Sequence, residues 1–301
     1  MEVIEVNETT KKEIEKSINK YGFTVEHYYP FFEHCETQYK NNLFFKFNNG
    51  MGIMAQKTKQ NVYYSISEVL APKTRRKELY FKFLDYVFKH GSNKVMAEFR
   101  TEFRDELMSD DKYKKNFRDT GICFSLTWPV FDMKKWHGDK LDGKKWKKIR
   151  NMVNRVYSDF KVSFGKPSDF SHEQLIKLLN QWLKHRNAEE IVDTQQYINI
   201  IKGGFKGYDH VRIIALDGEP CAITAGWETI KPNTYYSNLG ILNYKCDGLG
   251  EFANWDDLVC LKHKGYRYVD FGGSDEDLLQ FKNKFRPTSE YQTHFYYIHK
   301  H

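Results

Sequence analysis

The stretch from Tyr235 to Ile298 constrains the fold more than any other, because strand-like and helix-like patterns alternate along it with glycines at the junctions. Tyr235 to Leu242 is rich in aromatic and branched residues and stops at Asn243, which reads as a strand running into a loop. Gly248 and Gly250 follow, and their missing side chains let backbone N–H groups approach a ligand closely. Leu249, Phe252, Leu258 and Leu261, with Trp255 between, give a broad apolar face, so a helix is expected to begin near the second glycine. Lys264-Gly265 ends that helix, and Tyr268 to Phe271 reads as a short strand stopped by Gly272-Gly273. A further helix, with Leu278, Leu279, Phe281 and Phe285 on its core side, leads to the last strand. A helix N-terminus presents free N–H groups and a positive dipole end, so the expected ligand at the glycine turn is a phosphate or pyrophosphate. A lone Gly-x-Gly is otherwise a common turn, and its neighbours give it weight here.

Those neighbours carry a resemblance. Lys245-x-x-Gly248-x-Gly250 resembles the pyrophosphate loop of GNAT acetyltransferases, with Lys245 where that family more often has Gln or Arg. Asp270-Phe271-Gly272-Gly273, followed by Phe281-Lys282-x-Lys284-Phe285-x-Pro287-x-x-Glu290, is similar to the C-terminal domain of phosphatidylglycerol lysyltransferases and to FemAB-type aminoacyl transferases. Those enzymes are built from two GNAT-like domains and take aminoacyl groups from tRNA. The chain departs from them after Pro287, where Ser289-Glu290-Tyr291-Gln292-Thr293 replaces Trp-Glu-x-Arg-Tyr, and a membrane-spanning half like theirs is not expected from these residues. The resemblance implies an α+β fold of two tandem GNAT-like domains, each a central mixed, mainly antiparallel sheet flanked by helices. It implies aminoacyl-tRNA or acetyl-CoA as a cosubstrate, with no tightly bound cofactor. A non-catalytic binding module on the same scaffold is a third reading.

An internal echo supports the tandem arrangement. Arg75 to Lys89 reads as a helix ended by His90-Gly91, Val95 to Phe99 as a strand, Thr101 to Ser109 as a helix and Ile122 to Phe131 as a strand. Gly91 precedes Val95 by the spacing that separates Gly265 from Val269. The expected domains are 1–133, without a donor site, and 134–301, with one. At the N-terminal counterpart of the glycine turn, Val69 to Arg76 carries Pro72, which lacks an N–H donor.

Acyl transfer needs a base, a partner for the developing oxyanion and a proton for the leaving group. Glu228, at the end of a hairpin strand, and Asp270 are the carboxylate candidates, and either works as a base only where burial lifts its pKa. Tyr236 is a candidate proton donor. By the resemblance, Lys282 neutralises donor phosphate or developing charge, with Lys284 and Arg286 as outer support. The donor-binding set is then Lys245, Gly248, Leu249, Gly250 and Glu251 with Lys284 and Arg286. Ordinary surface lysines on an amphipathic helix are the plainer alternative.

Between the halves, Lys134 to Arg155 holds nine cations against Asp139 and Asp142. Trp146, Ile149, Val153, Val156 and Phe160 recur at helical spacing, so one face packs and the other presents cations. With a net charge of +7 and pI near 8.9, Lys144, Lys147, Lys148 and Arg150 are candidates for tRNA or another polyanion. A solvated helix face is the alternative reading. The acceptor, whether small molecule, lipid or peptide, has no motif. No apolar run is long enough to span a membrane, and the chain is expected in the cytoplasm. Cys35, Cys123, Cys221, Cys246 and Cys260 are scattered without Cys-x-x-Cys spacing, so neither a disulfide framework nor a metal site is expected.

Overall fold

The computed structural model describes residues 1–186 and 193–301. The N-terminal part runs β1 (Glu2–Glu5), α1 (Lys11–Tyr21), α2 (Tyr29–His34), β2 (Lys40–Lys46), β3 (Gly52–Thr58), β4 (Tyr63–Ser65) and α3 (Lys73–Lys89). It continues with β5 (Val95–Arg100), α4 (Thr101–Met108), α5 (Asp111–Asn116), β6 (Phe117–Asp119) and β7 (Phe124–Asp132). After a loop come α6 (Lys147–Asp159), β8 (Val162–Gly165), α7 (His172–Leu183), α8 (Thr194–Lys202), β9 (His210–Leu216), β10 (Glu219–Glu228) and β11 (Thr234–Leu242). The chain ends with α9 (Leu249–His263), β12 (Tyr268–Asp270), α10 (Glu276–Asn283) and β13 (Ser289–Lys300).

The fold is α+β. One sheet passes through the molecule in the order β1-β2-β3-β4-β5-β13-β7-β12-β11-β10-β9-β8, with β6 beside β13. Pairing is antiparallel except at β4 with β5 and β11 with β12. Each of those parallel pairs is joined through a helix, α3 or α9, as a parallel connection requires. Both parallel contacts are short. Tyr63–Ser65 pair with Val95–Ala97, and Thr234–Tyr236 pair with Tyr268–Asp270. β11 runs on to Leu242 while β12 stops at Asp270, so the two strands part beyond Tyr236 and Asp270. The repeated helix, glycine and strand of the sequence thus become two parallel pairs, each opening into a gap.

β13 bonds β5 through Thr293–Ile298 and β7 through Ser289–Phe295, so the last strand of the chain lies inside the N-terminal part of the sheet. β7 in turn pairs with β12. The sheet is therefore continuous across residue 133.

α6, α7, α8 and α9, with the turn before α6, bury Trp146, Val153, Leu178, Trp182, Ile200, Phe252 and Leu261 against β9 to β12. The apolar spacing expected in the basic segment is seen in α6, although helix begins only at Lys147, after a short 3-10 turn at Lys144–Trp146. Ser171 caps α7 and accepts from Gln174 N at 3.2 Å. The apolar stripe of Leu175, Leu178, Leu179 and Trp182 predicts a helix from Ser171 to Asn187, but α7 ends at Leu183 with Lys184 as its C-cap, and Asn187 lies outside the described residues. α3 and α4 bury Tyr80, Phe83 and Phe103 against β2 to β5 and β13.

Candidate functional site

Asp270 and Tyr236 stand in register across the end of the parallel pair, where the strands separate. A bulge marks the same place. Ala225 faces Leu239 and Gly226 faces Ser237, which leaves Asn238 as the extra residue of β11. Bulges re-aim side chains and end regular pairing, commonly at sites of function. Asn238 donates to the Tyr236 hydroxyl at 3.4 Å and accepts from the Tyr208 hydroxyl at 2.8 Å.

The glycine turn and the Phe-Lys-x-Lys-Phe segment meet beside this gap. Gly248 has φ +80° and precedes α9, so a residue with a Cβ would be strained there. A Cβ on Gly250 would touch Phe281 of α10 at 3.4 Å. Lys284 donates to Glu251 at 2.8 Å, which ties the end of α10 to the first turn of α9. In that first turn Leu249 N bonds Cys246 O at 3.2 Å, while the N–H groups of Gly250 and Glu251 have no carbonyl within the helix to bond.

Lys282 is not one of the surface lysines of the plainer alternative. The leucines and Phe281 of α10 are partly exposed, and Lys282 is its one buried side chain. The Lys282 ammonium donates to the carbonyl of Phe271 and to that of Gly272, the latter at 3.0 Å. Burial pushes its pKa down to about 8, against the opposing pull of Asp270 and Asp275. Gly272 has φ +78°, which brings its carbonyl round to this cation.

Asp270 is buried, and desolvation raises its carboxyl above the ordinary range. It accepts from the Tyr291 hydroxyl at 2.8 Å and from Gly272 N at 3.1 Å. Tyr291 stacks on Trp128 at 5.5 Å, and the Arg100 guanidinium lies 4.3 Å from its ring centre. Burial also holds the Tyr236 hydroxyl well above its ordinary value, so it stays protonated.

The N-terminal part supplies the opposite wall. Trp128 donates to Thr293 Oγ1 at 2.8 Å, Thr293 donates to Glu98 at 2.8 Å, and Tyr64 donates to Glu98 at 3.1 Å. Burial raises Glu98 to about 7. Glu26 is raised well above the carboxylate range by desolvation, with Glu98 as the largest charge acting on it and Arg100, Asp270 and Glu68 also within reach. Residues 22–28 bring Glu26 there. Trp227 donates to Val25 O at 3.0 Å, Tyr28 stacks on Trp227 at 4.9 Å, and Phe23 lies 3.4 Å under the Arg76 guanidinium. His27 accepts from Phe23 N at 3.0 Å through Nδ1, so its Nε2 carries the hydrogen it gives to Glu68 O at 2.9 Å. Burial lowers His27 to about 3, and the ring is neutral. This segment fills the N-terminal gap beside Glu68 and Arg76.

Of the residues expected from sequence, Asp270, Tyr236 and Lys282 converge, and Gly248, Leu249, Gly250, Glu251 and Lys284 border them. Glu228 stays apart, exposed at the end of β10, its N–H bonded to Asp209. Lys245 is exposed on the loop before the glycines. Arg286 donates to Lys145 O at 3.3 Å and anchors the turn before α6. Lys144, Lys147 and Lys148 are exposed, but Arg150 is turned inward to Leu141 O at 2.5 Å and Gly143 O at 3.3 Å, bracing the preceding loop. Burial raises the Cys246 thiol, away from the reactive thiolate. Sequence reasoning missed Glu26, Glu98, Arg100 and Trp128, which lie far along the chain in unremarkable segments. Tyr291 was visible only as part of a departure from a motif.

Two surface cavities, of about 850 Å³ beside Ile176 and Asn180 and about 430 Å³ beside His137 and Asp139, do not reach this gap. No described helix is long and apolar enough to cross a membrane.

Solved structures agree with this architecture. That of L-PGS from Bacillus licheniformis superposes with a TM-score of 0.67 at 15% identity, covering 98% of this chain and 92% of that one. A tandem GNAT protein from the clavulanic acid biosynthesis pathway gives 0.60 at 10%, with 99% and 98% covered, and FemX gives 0.58 at 12%, with 97% of each. A comparison with curated proteins finds no match. The family model for the phosphatidylglycerol lysyltransferase C-terminal domain matches residues 32–296, a span that holds β11, β12, Lys282 and Glu98 but not Glu26. The chain therefore belongs to the phosphatidylglycerol lysyltransferase C-terminal domain family and is an acyltransferase of GNAT-like fold.

Proposed function

We propose that the enzyme transfers an aminoacyl group from aminoacyl-tRNA to an amine or hydroxyl acceptor, in the cytoplasm where that donor is found, with bond making at the gap between β11 and β12. The observation that carries this reading is the meeting there of the α9 glycine turn, the buried Lys282 ammonium and the buried Asp270 carboxylate. Phosphate of the donor's terminal nucleotide rests on the first turn of α9. The acceptor gives its proton to Asp270 as its lone pair attacks the ester carbonyl carbon. Lys282 stabilises the negative charge that develops on the carbonyl oxygen. The bond to the ribose oxygen then breaks, and Tyr236 protonates that oxygen. The buried Glu98, with the partly buried Glu26 beside it, suits the α-ammonium of an aminoacyl donor, since desolvated carboxylates gain most from a cation. In this reading the two parallel pairs are tandem GNAT-like units, and only the C-terminal one holds a donor.

The glycine turn alone favours a second reading, in which acetyl-CoA occupies the crevice. Titration with aminoacyl-tRNA and with acetyl-CoA, each across a salt series, separates the two. Saturable tRNA binding with transfer to an added amine is expected. Acetyl-CoA binding without tRNA affinity would reverse the assignment.

A further inference from the structure

The outer surface of α6 has two properties that the proposed chemistry does not use. Between Lys144 and Ser158 no acidic residue occurs. Lys147, Asn151, Asn154 and Ser158 follow one another at helical spacing, and all are exposed. Arg155 borders this stripe on one side and pairs with Asp247 of the glycine loop. Tyr157 borders it on the other.

The second property is a pair of exposed rings. Tyr157 and Phe164 are 51% and 40% accessible and lie side by side on one buried ring. Both lean on Phe252, which is fully buried one turn after Gly248. Tyr157 meets it edge-on at 5.1 Å, and Phe164 stacks at 6.2 Å with planes 19° apart. The Arg212 guanidinium lies 3.8 Å from the Phe164 ring centre, held by Asp256 at 3.0 Å. Two rings fixed against a buried third, with cations and amides alongside, are the parts from which stacking platforms for unpaired bases are made. A duplex would need the cations alone, because its bases are not available to stack.

We propose that α6 and the Tyr157–Phe164 ledge bind a single-stranded RNA end, with the sugar–phosphate backbone along Lys147, Lys148 and Arg155 and bases on the two rings. This rests on the reading that the donor arrives on RNA, and it places the unpaired end one helical turn from the α9 glycine turn.

The test uses the full chain and two labelled RNAs of about twelve nucleotides, one bearing bases and one abasic with the same charge. The wild type should bind the base-bearing RNA more tightly. Tyr157→Ala with Phe164→Ala should weaken that binding about 30-fold or more and leave the abasic RNA unaffected. Tyr157→Phe with Phe164→Tyr should restore it. Lys147→Glu with Lys148→Glu should weaken both RNAs and flatten the salt dependence by about one to two in log–log slope. Equal affinity for the two RNAs, or preference for phosphatidylglycerol vesicles lost with the same ring variants, overturns the proposal. Ring-dependent RNA binding without aminoacyl transfer to any acceptor would leave the ledge standing and remove the donor assignment. Transfer from aminoacyl-tRNA with ring-independent affinity would do the reverse.

Discussion

Lys282 shows how one residue changes meaning between sequence and structure. Two lysines in Phe-Lys-Asn-Lys-Phe look alike on paper, yet one pairs with Glu251 at the rim and the other is buried against two carbonyls. The folded-state pKa of Lys282, about 8, lies below its unfolded value, so the folded chain releases this proton first as pH rises. Two consequences follow in the same window. Stability gains from this group between pH about 8 and the ordinary lysine range, because the unfolded state then binds more protons. Transfer that needs the ammonium should decline as pH rises through about 8, and in Lys282→Met, with kcat lowered about 100-fold, that decline should vanish. A pH profile of kcat identical in both proteins would rule out the role. Glu228→Gln, at an exposed position away from the gap, should leave kcat within about twofold. The sequence placed Glu228 and Asp270 on equal terms because carboxylate chemistry depends on burial, and neither strand pattern reveals which end is covered.

At the scale of elements, the glycine turn was legible because it rests on local backbone rules. Gly248 takes φ +80° at the N-cap of α9, whereas Gly250 lies within the helix. The two should therefore respond oppositely to a methyl group. Gly248→Ala is expected to cost about 1–2 kcal/mol through left-handed backbone strain, with Met152 already 3.3 Å from the new Cβ. Gly250→Ala should be neutral or stabilise by up to about 1 kcal/mol, since a helical glycine gives up more entropy than alanine. Chemical denaturation of both variants checks this, and equal destabilisation would contradict the assigned backbone. The basic segment was half legible. Its apolar spacing identified the buried face of α6, but charge counting could not distinguish Arg150, spent on loop carbonyls, from Lys147 and Lys148 in solvent.

For the molecule as a whole, β13 is the decisive element. It fills the space between β5 and β7, so the strand that ends the chain completes the sheet of the part that begins it. Fragments 1–133 and 134–301 should each fail to fold alone, because the first leaves β6 and β7 without any partner and one edge of β5 unpaired, and the second carries β13 without partners. The intact chain should unfold in one cooperative transition, and deletion of residues 289–301 should abolish it. Two independent transitions, or a folded 1–133 fragment, would show that the halves are separable. By itself the sequence determined the α+β class, the helix and strand order around Gly248 and Gly250, and the family motifs, because turns, caps and apolar periodicity act between residues a few positions apart. Only the tertiary structure brings the residues of the candidate site together. Glu26, Glu98, Asp270 and Tyr291 come from four segments, and what raises their pKa values is shared burial, which exists only once β13 and residues 22–28 have closed over the gap.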